Sequence, residues 1–251
     1  MNIFTLAYWE TAAAELTRLK KLILAALFCA LIVVVGAVYI PVGQSLQIHF
    51  TFFIVALGAA IYGPIAAMSV AVVADTLNYF LFNSAFPYFP GYMLSEVLVA
   101  LVFGLLLYRQ TISVPRIFFA KLLMNFPINV GLGALWSQIL YGKGYLYYFW
   151  QSLIKNILLL PLEVLVAAGL FAAILPAAVR LKLLPTQSRE SLERLRLQHN
   201  VLPILSGTVA VLGGSLLIFV QYGGGHWAFF TAGGSLLLVA AGLYLWHKIK
   251  K

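Results

Sequence analysis

Four ionisable residues interrupt long apolar runs: Asp75, Glu96, Lys155 and Glu163. A charge placed in hydrocarbon costs about 2.5–3.5 kcal/mol on insertion scales, so it persists where it has a partner or lines a polar path. Two chemistries follow. The four side chains pair internally and lock helices together, or they line a polar ligand site. In a ligand site the carboxylates accept from N–H donors and the lysine meets an anionic group. Lys155 and Glu163 stand two helical turns apart and are not each other's natural partner. Glu163 lies nearer the expected cytoplasmic half, where internal pairing is the stronger reading. Asp75 and Lys155 carry the ligand reading.

Their neighbours extend it. The stretch "DTLNYFLFN" at 75–83 sets Asp75, Asn78, Tyr79 and Phe82 on adjoining helical faces. The stretch "FPYFPGYMLSE" at 86–96 follows, with two prolines and a glycine among four aromatics, then Glu96. "IKN" adds Asn156 beside Lys155. Aromatic rings also form belts at membrane interfaces. Here they keep company with an acid, an amide and a stiff turn. Such a set suits a flat heteroaromatic ligand, with rings stacking on it and a carboxylate accepting paired N–H bonds. The candidate pocket is therefore Asp75, Asn78, Tyr88, Phe89, Tyr92, Glu96, Lys155 and Asn156. The turn would form a lid at the outer mouth, with Glu96 one turn below it facing a cavity. In "AALFCA", Ala26 and Ala30 leave two small spots on one helical face, which permits close helix approach.

Other chemistry lacks its residues. The sequence contains no G-x-x-x-x-G-K-[ST], no H-E-x-x-H and no G-x-S-x-G. No catalytic role, resident cofactor or metal site is expected, and ATP-driven transport would need ATPases in other subunits. Cys29 is the single cysteine, which excludes an intramolecular disulfide.

The elements that must position these residues are membrane helices. The 251 residues are 63% hydrophobic and only 9% charged, too few charges to cover a water-facing surface. The apolar runs are long and continuous, which favours helices over barrel strands. An amphipathic entry at 3–17 precedes eight expected spans: 22–40, 50–62, 64–82, 92–108, 117–141, 147–179, 201–222 and 227–246. The sixth exceeds the roughly 20 residues that cross a bilayer, and Pro161 and Pro176 offer bends. Fourteen of the sixteen lysines and arginines, Lys121 among them, fall on one side of this arrangement. The positive-inside rule then puts both termini in the cytoplasm and the loops 41–49, 83–91, 142–146 and 223–226 outside. The division expected is an all-α, six-helix membrane domain over 1–180, a basic linker over 181–200 and a two-helix extension over 201–251.

Four stretches in order carry a family resemblance: "YGPIAAMSVAVVADTLNYFLFN", "YFPGYMLSE", "LGALWSQILYGK" and "LIKNILLLPLEVL". Through them residues 18–180 resemble the substrate-capturing S components of energy-coupling factor (ECF) vitamin transporters, and the folate group within them. The resemblance implies a six-helix subunit of a bacterial cell membrane with its pocket near the outer face. It implies closure by the loops after the first and third helices. It implies docking on a transmembrane coupling protein through an alanine pair matched by Ala26 and Ala30, and inward release driven by two ATPase subunits. Nucleic acid has no part in it. Two departures bear on the ligand. Gln151 and Ser152 stand where the family often has Pro-Arg, and Glu96 stands where a neutral residue is expected. Folate, a less acidic pterin or another vitamin stay open as ligands. So does a structural or assembly protein whose charges only pair internally; an enzyme has the least support. The last two spans have no counterpart in that family.

Overall fold

A computed structural model describes residues 5–37, 39–41, 47–83, 88–181, 183–184, 206, 238–239 and 241. The expected linker and two-helix extension fall almost wholly outside these residues.

Eight helical segments build the body: α1 Leu6–Ala14, α2 Leu19–Gly36, α3 Phe52–Tyr62, α4 Pro64–Asn78, α5 Pro90–Leu107, α6 Val114–Leu123, α7 Gly133–Tyr141 and α8 Tyr145–Arg180. α4 continues into a π-helical turn, Tyr79–Asn83, and a longer π-helical stretch, Met124–Leu132, joins α6 to α7. Five of the resulting rods are long and apolar enough to cross a membrane, and α3 is a shorter apolar helix. The described part is thus an all-α membrane body of six apolar rods, with α1 beside it.

Contacts at the rod ends fix their alternation. At one end Lys20 Nζ donates to Leu181 O at 2.9 Å. Lys21 Nζ donates to Ile61 O and to Leu183 O. Two lysines at the start of α2 therefore cap the carbonyl ends of α8 and α3, where a helix dipole favours cations. At the same end a Cβ on Gly104 would meet Pro64 Cα at 2.5 Å, so the end of α5 touches the start of α4. At the other end Gly36 abuts the Asn78 amide. The rods thus run up and down in chain order, which short connections favour.

Local chemistry explains the breaks. Gly63 has φ 88°, and Pro64 follows as the first helical residue. A left-handed glycine ends α3, and a proline that needs no N–H begins α4. α2 was expected to continue to Ile40. It ends at Gly36 instead, and Tyr39–Pro41 pairs antiparallel with Gln47–His49. Pro41 disfavours helix at the residue before it, so the chain turns extended there. Pro127 lies inside the π-helical stretch; it has no N–H to give an i−4 carbonyl, and a widened turn absorbs the loss. α8 runs unbroken through Pro161 and Pro176.

α1 is clasped to the basic end. Tyr8 is buried and its hydroxyl donates to Gly104 O at 3.3 Å. Behind it Glu15, 3% exposed, accepts from Tyr108 Oη at 3.0 Å and Arg109 Nη2 at 3.2 Å.

Candidate functional site

The end of the bundle opposite the lysine caps gathers most of the candidate residues. Tyr88 Oη donates to Asp75 Oδ2 at 3.1 Å, tying the segment before α5 to the last turns of α4. The Tyr88 ring meets Tyr79 edge-on, 5.0 Å between centroids. Phe89 stands edge-on to Tyr92 at 5.7 Å and to Trp136 at 5.6 Å. Trp136 Nε1 in turn donates to Ser95 Oγ at 2.9 Å, which holds α7 against α5. Gly91 makes this cluster possible. A Cβ there would lie 2.2 Å from Phe89 Cε1 and 2.8 Å from Trp136 Cδ2.

Below this aromatic rim the α5 face changes character. Tyr92 is 39% exposed, and Glu96, one turn on, is exposed as well. The Glu96 carboxylate feels the charge of Asp75 on α4. Further down the same face Val99, Ala100 and Phe103 are 2%, 0% and 2% exposed, so that part of α5 is packed core. Asn78 faces Gly36, and its Oδ1 is buried with no hydrogen-bond partner among the described residues. An amide oxygen so placed has acceptor capacity to spare. Asp75 and Glu96 form no ion pair with any described residue.

α8 supplies the cationic side. Lys155 is half-buried and lies within electrostatic reach of His49, at the end of the short hairpin. Asn156 is buried. Its Nδ2 donates to Ser152 O at 2.8 Å and to Ser152 Oγ at 3.2 Å, and Ser152 Oγ donates to Asn129 O at 3.2 Å. Ser152 therefore joins α8 to the π-helical stretch, and the Asn156 amide nitrogen is engaged within α8 itself.

Glu163 lies deeper and has a partner. Lys121 Nζ is 3.0 Å from Glu163 Oε2, and Asn125 Nδ2 donates to the same oxygen at 3.0 Å. Lys121 is wholly buried, with Nζ 3.8 Å from the centre of the Phe52 ring. This corrects the sequence reading, which counted Lys121 with the cytoplasmic flank. It sits two turns inside α6, where Glu163 offsets its charge. The internal-pairing reading of Glu163 fits this geometry.

On α2, Ala26 and Ala30 are both exposed, on a face shared with Leu22, Ile23 and Leu27. Nothing in the described body covers that apolar strip.

Residues 20–171 match the family described as the substrate-specific component of the ECF transporter. The chain belongs to this family. A folate transporter, FolT, of Clostridium novyi is 31% identical over 124 residues, which cover 49% of this chain and 72% of that protein. A FolT of Leuconostoc mesenteroides is 26% identical over 152 residues, 58% of this chain and 80% of its own length. The fold also matches a crystal structure of FolT bound with folic acid, with TM-score 0.57 and 29% identity, covering 61% of this chain and 93% of that one.

In this substrate-specific component, six of the eight candidates (Asp75, Asn78, Tyr88, Phe89, Tyr92 and Glu96) lie on α4, on α5 or just before α5, at the end opposite the lysine caps. Lys155 and Asn156 come from α8, with Asn156 turned to structural bonding. The sequence reading did not nominate Trp136, Ser95 or the Lys121–Glu163–Asn125 cluster. Trp136 and Ser95 lay within stretches that carried the family resemblance, "LGALWSQILYGK" and "YFPGYMLSE", but neither residue is charged, and charge was the signal followed.

Proposed function

We propose that this chain captures folate or a closely related pterin from the outer side of a bacterial cell membrane. In this reading both termini are cytoplasmic, and the lysine-capped end of the bundle faces inward. Asp75 and Glu96 accept from the N–H groups of the pterin ring. Asn78 offers its amide oxygen beside them. Phe89, Tyr92 and Trp136 flank the ring, and the Tyr88–Asp75 hydrogen bond closes the mouth. Lys155 meets the anionic end of the ligand. The exposed Ala26–Ala30 strip docks on a transmembrane coupling protein, whose two ATPase partners drive inward release. The sixth rod ends the substrate-binding body near residue 180.

The observation that carries this reading is that two acids beneath the aromatic rim, Asp75 and Glu96, form no ion pair among the described residues. Internal pairing accounts for Glu163 but not for Asp75 or Glu96. The names of the two curated relatives and the folic acid in the matching structure agree with the chemistry. A second ligand class, neutral pterins, draws support from Gln151 and Ser152, neither of which supplies a cation beside Lys155. Isothermal titration of the detergent-purified chain with folic acid and with a neutral pterin tests both. Saturable one-to-one binding of either ligand is expected, and heats of dilution alone for both would refute the proposal.

A further inference from the structure

Glu163 has two lysines within its field. Lys121 reaches it from α6 at 3.0 Å. Lys155, eight residues earlier on α8, also feels its charge, and feels that of Lys121 with the opposite sign. Eight residues are about 12 Å of helical rise, so the two groups stand on one rod at that separation.

Lys121 is gripped from several directions. Its ammonium lies over the Phe52 ring, 3.4 Å from Met124 Sδ, and has no exposed surface. Asn125, also wholly buried, completes the grip by donating to the same Glu163 oxygen, and Asn129 Nδ2 donates onward to Asn125 Oδ1 at 3.5 Å. Lys121, Asn125 and Asn129 recur every fourth residue, so they form one stripe along α6 and the π-helical stretch. That stripe reaches α8 at Glu163 below and at Ser152 above. Its one charged member, Lys121, is at the lower end beside Glu163.

We propose that Lys121 is a positioning residue for ligand capture: by holding Glu163 at the lower end of this stripe, it keeps Lys155 directed to the anionic group of the ligand. The inference rests on the reading that Lys155 meets that anion. Without Lys121, the acid at 163 is uncompensated in a low-dielectric interior. Its pull on Lys155 across about 12 Å, at an effective dielectric near 20, is equivalent to about tenfold in affinity. A purely structural ion pair would instead weaken every ligand alike, through the fold.

The test compares folic acid with a neutral pterin that lacks the benzoyl-glutamate tail, by titration calorimetry on the purified full chain. Lys121→Met should weaken folic acid about tenfold and leave the neutral pterin within twofold. Lys121→Met combined with Glu163→Gln removes the uncompensated acid and should return folic acid to within threefold of the unaltered chain. Equal losses for both ligands, or no recovery in the double variant, overturns the inference. Lys155→Met separates it from the reading beneath. If that variant keeps the unaltered preference for folic acid over the neutral pterin, the role given to Lys155 fails. If it loses that preference while Lys121→Met keeps it, only the positioning role fails. Should Lys121→Met not fold, Glu163→Gln alone decides. Its folic acid preference is expected to equal or exceed that of the unaltered chain, and a tenfold fall overturns the inference.

Discussion

Replacing Gly91 by alanine perturbs the aromatic rim at its tightest point. The new Cβ would lie 2.2 Å from Phe89 Cε1, 2.9 Å from Phe89 Cζ and 2.8 Å from Trp136 Cδ2. Carbon atoms in contact prefer about 3.5–4.0 Å, so both rings must move. Phe89 can swing only by leaving its edge-on contacts with Tyr92 and Trp136. Aromatic pairs contribute about 0.5–1.5 kcal/mol each beyond their area. Trp136 is tethered to Ser95, and losing that neutral hydrogen bond costs about 0.5–1.5 kcal/mol. Relaxation recovers part of this sum, leaving about 1–3 kcal/mol, or roughly 5- to 150-fold in affinity. The assay is quenching of tryptophan fluorescence by folic acid, with Trp136 in the aromatic rim as a reporter. The melting temperature of the empty protein serves as the control for folding. A folded Gly91→Ala variant that binds folic acid within twofold of the unaltered chain would refute the assignment of these rings to the ligand.

Three other outcomes follow from the same geometry. Asp75→Asn leaves an amide in place of the acceptor that holds Tyr88 Oη; folic acid binding should fall about 10- to 100-fold by calorimetry, as hydrogen bonds to charged groups contribute about 1.5–3 kcal/mol. Gly104→Ala should cost about 1–3 kcal/mol of stability through overpacking, because its Cβ would meet backbone atoms of Pro64 and α4 must retreat from α5; the melting temperature should drop while affinity measured below it stays unchanged. Burial, reinforced by the nearby Glu15 charge, pushes the Tyr108 hydroxyl up to about 12 from an ordinary value near 10. A raised value favours the neutral form in the folded state, so the clasp on α1 is intact below pH 10 and is lost as pH climbs through 12. Trp9 on α1 packs beside Tyr8 and Tyr108, so its emission should shift across that window, and Tyr108→Phe should abolish the transition.

Much of this was legible in the sequence because a bilayer imposes harsh rules. Long apolar runs have to be helices, and Gly63-Pro64 and Pro90-Gly91 announce their own turns. Asp75 and Glu96 drew notice because acids are costly in lipid. Depth along a helix was harder to read. Lys121 looks like a flanking residue by count, yet its partner Glu163 is 42 positions away on another rod, and pairing at that range needs the packed structure. The pairing of Tyr39–Pro41 with Gln47–His49 was hidden because Tyr39 and Ile40 close an apolar run that suits strand as well as helix. Pro127 was hidden because a π-helical stretch can absorb a proline that an α-helix would not. Trp136 carries no charge, so only its position against Phe89 and Ser95 reveals it.

Native mass spectrometry of the detergent-purified chain, alone and with added folic acid, tests the central claim most directly. The account predicts a single adduct with the mass of folate or a pterin, displaced by excess folic acid and strongly reduced in Asp75→Asn. An unadducted chain at every concentration, or an adduct that Asp75→Asn retains in full, would contradict it.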